Sequence, residues 1–74
     1  MKIPLERQIE EVARELALRA AVYPRLVAKG EMRSAVADDQ VARMAAVLAT
    51  LRWLARNEAK IKDKIKAKLE PEAA

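Results

Sequence analysis

The sequence lacks cysteine, histidine and phenylalanine, and it contains a single glycine. Without cysteine the chain cannot form a disulfide or a thiolate metal site. Without histidine it lacks the commonest general base and the commonest zinc ligand. One glycine cannot build a glycine-rich phosphate loop. These absences leave no nucleophile–base pair, so we predict that the protein is not an enzyme and binds neither a cofactor nor a metal.

Long apolar runs and a strong charge excess are also missing. No apolar run approaches the roughly 18 residues of a membrane span, and no signal-peptide core follows Lys2. We therefore predict a soluble cytoplasmic protein that has no membrane partner. The formal net charge is +4, from 15 basic and 11 acidic residues. So small an excess permits nucleic-acid binding without indicating it.

The abundant residues, which are Ala, Leu, Glu, Lys and Arg, are typical of long helices and coiled coils. Apolar residues recur at spacings of three and four in two stretches that Gly30 separates. We predict an all-α fold, a two-helix antiparallel hairpin that forms one domain over 1–74. Its segments are a helix over 4–29, a turn over 30–34, a helix over 35–69 and a frayed tail over 70–74.

Local signals indicate where the helices begin and end. Pro4 suits the first helical position, where its missing N–H costs no hydrogen bond. Gly30 suits a helix C-terminus because it adopts left-handed backbone angles easily. Ser34 is the predicted N-cap of the second helix. Pro24 lies inside the first apolar pattern, and we expect a kink or a short break near Tyr23.

Two helices are too few to cover their own apolar side chains. A chain of 74 residues is close to the size at which one core barely supports itself, and this chain has no disulfide to stabilise it. We therefore predict a homodimer, paired as an antiparallel four-helix bundle. Its predicted core consists of Ile9, Val12, Leu16, Val41, Met44 and Leu48.

The second predicted helix is longer than the first, at roughly 50 Å against roughly 38 Å, so its last turns should extend beyond the hairpin. This overhang, residues 60–69, is rich in lysine. It could contact nucleic-acid phosphates or an acidic protein surface, or it could be a solvated helix end. No aromatic residue is interleaved for base stacking, which weakens the nucleic-acid interpretation. The candidate nucleic-acid contacts are Lys60, Lys62, Lys64, Lys66 and Lys68.

The only tryptophan, Trp53, lies off the main apolar stripe of the second helix. Arg52 and Arg56 flank it, a composition typical of a binding hot spot. Burial in the dimer is the alternative interpretation. We predict that a foreign partner binds along the second helix because the first helix ends too early to cover it. The predicted partner-binding residues are Leu51, Trp53, Arg56, Ile61, Lys62, Lys64 and Ile65.

A second cluster is expected near the turn, where Tyr23 and three arginines gather. Arg19 is four residues before Tyr23, so the two could stack as a cation–π pair. One interpretation is a basic tip, formed with Arg25 and Arg33, that recognises a carboxylate or a phosphate. The alternative is that Tyr23 packs under the turn while the arginines are solvated.

A short motif is spread over the two predicted helices and the turn: Glu15, Arg19, Val22-Tyr23-Pro24, Val27, Gly30, Met32, Met44, Val47-Leu48 and Leu51-Arg52. In this motif the chain resembles a group of small, mostly uncharacterised proteins that tailed phages and prophages encode. The resemblance covers roughly residues 12–54. The chain departs from the group at Ser34-Ala35-Val36-Ala37, where relatives have threonine and acidic residues. This departure weakens the capping box at the start of the second helix. The resemblance implies a phage origin and synthesis in the bacterial cytoplasm, and it assigns no functional residue.

Composition, architecture and resemblance together favour an interaction protein. Helix-in-groove recognition needs only a rigid helix with an apolar stripe. We therefore expect a small phage-encoded protein that binds and modulates, by inhibition, a host bacterial protein. A non-specific nucleic-acid-binding accessory protein, acting through the basic second helix, is the alternative. A structural role in the virion is a third possibility.

Overall fold

The computed structural model describes residues 2–69 of the chain and the side chains of residues 2–66. Helix α1 spans Leu5–Ala28 and helix α2 spans Ser34–Leu69. The two helices pack against each other, and the described residues contain no strand. The predicted all-α helical hairpin is therefore confirmed. The predicted frayed tail over 70–74 lies outside the described residues.

Helix α1 begins one residue later than the sequence predicts. Pro4 is its N-cap, with φ −64° and an extended ψ of 153°, and makes no side-chain cap hydrogen bond. The Pro4 carbonyl accepts hydrogen bonds from the backbone N–H groups of Arg7 and Gln8. The Gln8 side-chain amide donates to the Ile3 carbonyl over 2.9 Å. The segment before the helix is thus tied to the first turn without a capping hydroxyl or carboxylate.

Pro24 does not break helix α1, which continues to Ala28. The predicted short break near Tyr23 is therefore wrong. Pro24 cannot donate to the Ala20 carbonyl, but Ala20 and Pro24 are both exposed. The helix tolerates the proline because water can satisfy the carbonyl that the proline leaves unbonded.

The end of α1 is a Schellman motif built on Gly30. The Gly30 N–H donates to the Val27 carbonyl over 3.0 Å, and the Glu31 N–H donates to the Leu26 carbonyl over 2.9 Å. Gly30 has a φ of +76°, a left-handed conformation that residues with a Cβ rarely adopt. This motif satisfies the last carbonyls of α1 and turns the chain back toward α2.

Helix α2 begins at Ser34, so Ser34 is its first residue and not its N-cap as predicted. The Arg33 carbonyl accepts the first helical hydrogen bond, from the Ala37 N–H over 3.0 Å. The N-cap position therefore falls on Arg33.

The core lies between the two helices and is small. In residues 2–66, only Ala37 and Leu48 are buried, each with 6% of its surface exposed. The other predicted dimer-core residues are half-buried within a single hairpin: Ile9, Val12, Leu16, Val41 and Met44. Ala37 was absent from the predicted core because alanine gives a weak apolar signal.

Candidate interaction surfaces

A polar cluster joins the two helices in the half of the hairpin next to the turn. The Arg19 Nε donates to Glu15 over 2.9 Å, and another nitrogen of the same guanidinium donates to the Gln40 carbonyl over 3.2 Å. The Tyr23 hydroxyl donates to the Gln40 side-chain oxygen over 3.1 Å. Gln40 therefore receives hydrogen bonds from two side chains of α1.

The hydrogen bonds of this cluster hold two residues of the predicted basic tip, Arg19 and Tyr23, against α2. Arg19 is only 23% exposed, so it is held against α2 and not solvated. Tyr23 is half-buried, whereas Arg25 and Arg33 are exposed. Gln40 was not among the residues that the sequence patterns predicted. Its signal was weak, namely a polar residue directly before Val41 at the margin of an apolar stripe.

The predicted partner-binding residues do not form one surface. Leu51 and Ile61 are half-buried, whereas Trp53 and Arg56 are exposed. Ile61 lines a small hollow with Leu5, Leu54, Glu58 and Lys62. The first helix was expected to be too short to cover this part of the second helix. That expectation is wrong at Ile61, because the helices are antiparallel and Leu5, the first residue of α1, lines the same hollow.

Three exposed residues of this set, Trp53, Arg56 and Lys64, lie on the outer side of α2. Trp53 is 51% exposed, although Leu51 and Leu54 on either side of it are half-buried. Positions 53, 56, 60 and 64 follow each other at spacings of three and four, which places them on one side of a helix. We call Trp53, Arg56, Lys60 and Lys64 the Trp53 face. Its tryptophan carbonyl accepts a hydrogen bond from the Asn57 side chain over 2.8 Å.

The lysines of the overhang do not share one side of α2. Lysines at every second position point in nearly opposite directions around a helix, because each residue turns the chain by about 100°. Lys60 and Lys64 therefore lie on one side, and Lys62 and Lys66 on the other. Lys62 also binds Glu58 over 3.1 Å. The side chain of Lys68 lies outside the described residues.

The two sides of the hairpin differ in the size of their exposed apolar residues. On one side, Glu11 and Val12 of α1 line a hollow with Val47 and Leu51 of α2. Leu18 belongs to the helical stripe of Glu11, seven residues away. Val22 follows Glu11 by eleven residues, and Val36 precedes Val47 by eleven, so each lies about three helical turns from a residue of the hollow and on the same side. We call the exposed apolar residues that line the hollow or share its side by this periodicity the aliphatic face: Ile3, Leu18, Val22, Val36 and Val47.

The opposite side carries a groove near the turn, which we call the alanine groove because four alanines line it, together with Tyr23, Val27 and Val41. Its volume is about 640 Å³. Ala20 and Pro24 contribute from α1, while Ala42 and Asp38 contribute from α2. The aliphatic face and the alanine groove thus lie on either side of the plane that contains the two helices.

Comparison with known proteins gives no further guide to these surfaces. No protein family, curated protein or solved structure matches this chain. Within residues 2–69, neither helix has a stretch long and apolar enough to cross a bilayer. The same residues contain no group of three acidic side chains placed to hold a metal ion.

Proposed function

We propose that this chain is a helical interaction protein that binds a protein of the bacterial host through the Trp53 face and inhibits it. The observation that carries the proposal is the half-exposed Trp53 in the middle of α2. A large aromatic side chain held on a rigid helix supplies much contact area at a small entropic cost, which is why tryptophan dominates binding hot spots. The bacterial host comes from the phage resemblance alone.

The charges around Trp53 favour a partner with an acidic rim. Arg56, Lys60 and Lys64 lie on the same side of α2 as Trp53 and are exposed. Positive charge around an apolar anchor accelerates association with an acidic surface and orients the partner. Among the side chains described, residues 2–66, Lys62 and Lys66 lie on the opposite side of α2, so the overhang lysines in that range form no continuous basic track for a nucleic-acid backbone, and a protein partner is favoured.

The test is affinity capture from bacterial lysate with three forms of the chain: the wild type, Trp53→Ala and Leu18→Ala. The two variants are matched because Trp53 is 51% and Leu18 is 53% exposed. Circular dichroism should first show equal helicity. We expect the wild type and Leu18→Ala to capture the same protein, and Trp53→Ala to lose it. The activity of the captured protein should fall when the wild-type chain is added.

Two results would contradict the proposal. Equal capture by Trp53→Ala would show that Trp53 is not the anchor. Loss of all capture after nuclease treatment would indicate a nucleic-acid bridge and promote the alternative function. A nucleic-acid complex would also weaken steeply with added salt, whereas an apolar anchor should keep most of its affinity.

A further inference from the structure

A single hairpin exposes more surface than a compact protein of its mass. The chain has a solvent-accessible surface of 6377 Å². A compact monomer of 8.3 kDa is expected to expose about 4,600 Å². The radius of gyration is 18.6 Å, whereas a compact domain of this length has about 11 Å. The excess, roughly 1,800 Å², exceeds the roughly 800 Å² that each partner buries in a standard interface.

The exposed apolar side chains concentrate on one side of the hairpin. In residues 2–66, the exposed large hydrophobic residues are Ile3, Leu18, Val22, Val36, Val47, Trp53 and Ile65, and all but the last two belong to the aliphatic face. None of these exposed residues lines the alanine groove on the opposite side, whose larger apolar residues Tyr23, Val27 and Val41 are half-buried. The aliphatic face is therefore where covering the hairpin yields the most hydrophobic stabilisation.

Three ion pairs lie on this side, while Arg25 and Lys29, seven residues after Leu18 and Val22, add positive charge to the same stripe of α1. Glu15 pairs with Arg19 over 2.9 Å, and Asp39 pairs with Arg43 over 2.9 Å, each within its own helix. Glu11 pairs with Arg14 over 3.2 Å. The surface in excess of a compact monomer is large enough for a second copy of the same chain to cover this face. The exposed apolar side chains, and not the charges, favour that second copy.

We infer that a second copy of this chain covers the aliphatic face in a twofold-symmetric dimer. In such a dimer each copy uses the same residues, so Leu18, Val22, Val36 and Val47 of one copy bury those of its partner or their neighbours. The four-helix arrangement then has the α1–α2 core inside each hairpin and the aliphatic faces between hairpins. The Trp53 face stays outside, so this inference does not rest on the proposed host partner.

The experiment is sedimentation of the full chain over a range of concentrations, with four forms: the wild type, Leu18→Glu, Ala20→Glu and Trp53→Glu. Leu18→Glu should raise the dimer dissociation constant at least about 30-fold, the weakening typical of a hot-spot residue. Ala20→Glu, in the alanine groove, and Trp53→Glu should leave it nearly unchanged. A wild type that stays monomeric throughout overturns the inference. So does a dimer that Ala20→Glu or Trp53→Glu breaks while Leu18→Glu does not.

A second measurement decides the case if Leu18→Glu unfolds instead of forming a monomer. The chain has no cysteine, so Leu18→Cys and Ala42→Cys each carry one thiol. The thiol at position 18 should react more slowly with a thiol reagent as the protein concentration rises, because dimerisation covers it. The thiol at position 42, in the alanine groove, should react at a constant rate. Protection of position 42 alone would place the interface on the wrong side and overturn the inference.

Discussion

The two halves of the hairpin are held together by different forces. Next to the turn, Arg19 and Tyr23 of α1 both donate hydrogen bonds to Gln40 of α2. Away from the turn, Leu5 of α1 lies with Leu54 and Ile61 of α2 around an apolar hollow. The ion pairs described in that half, such as that of Arg7 with Glu10, join residues of one helix and do not bridge the two helices.

The difference has a consequence for how each half can act. Hydrogen bonds are directional, so the cluster around Gln40 fixes the register of one helix against the other. Apolar contacts are non-directional and tolerate small shifts. Trp53 lies in the half without the polar cluster. The half next to the turn therefore sets the geometry of the hairpin, while the other half presents the proposed partner-binding surface.

The largest loss of stability should come from Leu48→Ala, because Leu48 lies where the two halves meet and is buried. Removing a buried leucine side chain should cost about 2–3 kcal/mol, the lower part of the usual range, since the thin core can partly collapse. Urea unfolding at fixed protein concentration measures this cost. Ile65→Ala, at a half-exposed position of the overhang, is the control and should cost little. Equal costs for both would mean that Leu48 is not the centre of the core.

A smaller loss is expected for Gly30→Ala, which acts on the turn alone. No atom lies within 4 Å of the position that an added Cβ would take, so the cost is conformational and not steric. An L-residue forced into the left-handed conformation should lose about 1–2 kcal/mol. Gly30→Asn should lose less, because asparagine tolerates this conformation better. Thermal unfolding of both variants tests the ranking, and a neutral Gly30→Ala would contradict the observed φ.

Tyr23→Phe should destabilise the half next to the turn by about 0.5–1.5 kcal/mol, because it removes one hydrogen bond between the helices. Gln40→Ala removes the side-chain amide oxygen that accepts from Tyr23. It keeps the backbone carbonyl of residue 40, which accepts from Arg19. A double-mutant cycle between the two positions isolates the Tyr23–Gln40 interaction. A coupling energy near zero would show that this hydrogen bond does not stabilise the packing of the two helices.

The smallest effects should come from the surface ion pairs away from the turn. Arg14→Gln should change the free energy of unfolding by less than about 0.5 kcal/mol, since both partners of its pair are mostly exposed. Arg19→Gln should cost more than Arg14→Gln because Arg19 also bonds to α2. Urea unfolding of both variants at low and high salt provides the comparison. Equal losses of unfolding free energy for the two variants would contradict the view that different forces hold the two halves together.

The sequence predicted the hairpin well because helix periodicity and the Gly30 stop are local signals. The same signals placed the ends of both helices within a residue of those observed. Local rules failed where exposure decided the outcome. A short break was one of the two outcomes expected at Pro24, yet α1 continues through this exposed proline to Ala28.

The candidate surfaces were less predictable than the fold. The seven predicted partner-binding residues share one stretch of α2 but lie on different sides of it. Ile61 faces α1 and Trp53 faces away, a division that sequence distance does not reveal. Neither Leu18 nor Val22 was predicted to line an interaction surface, because neither belongs to the main apolar stripe of the first helix. They become part of one exposed apolar face only because α2 packs with Val36 and Val47 on the same side of the hairpin.

The sequence by itself determined that this protein is two helices joined at Gly30, because hydrogen bonding within a helix and the turn at a glycine depend on neighbouring residues. It also determined that the chain has no histidine or cysteine chemistry. Only the tertiary structure decided which side chains meet across the hairpin. The contact of Arg19 with Gln40 and the separation of the Trp53 face from the aliphatic face depend on the register and rotation of one helix against the other. Those two quantities are set by packing between distant residues, which no local pattern records.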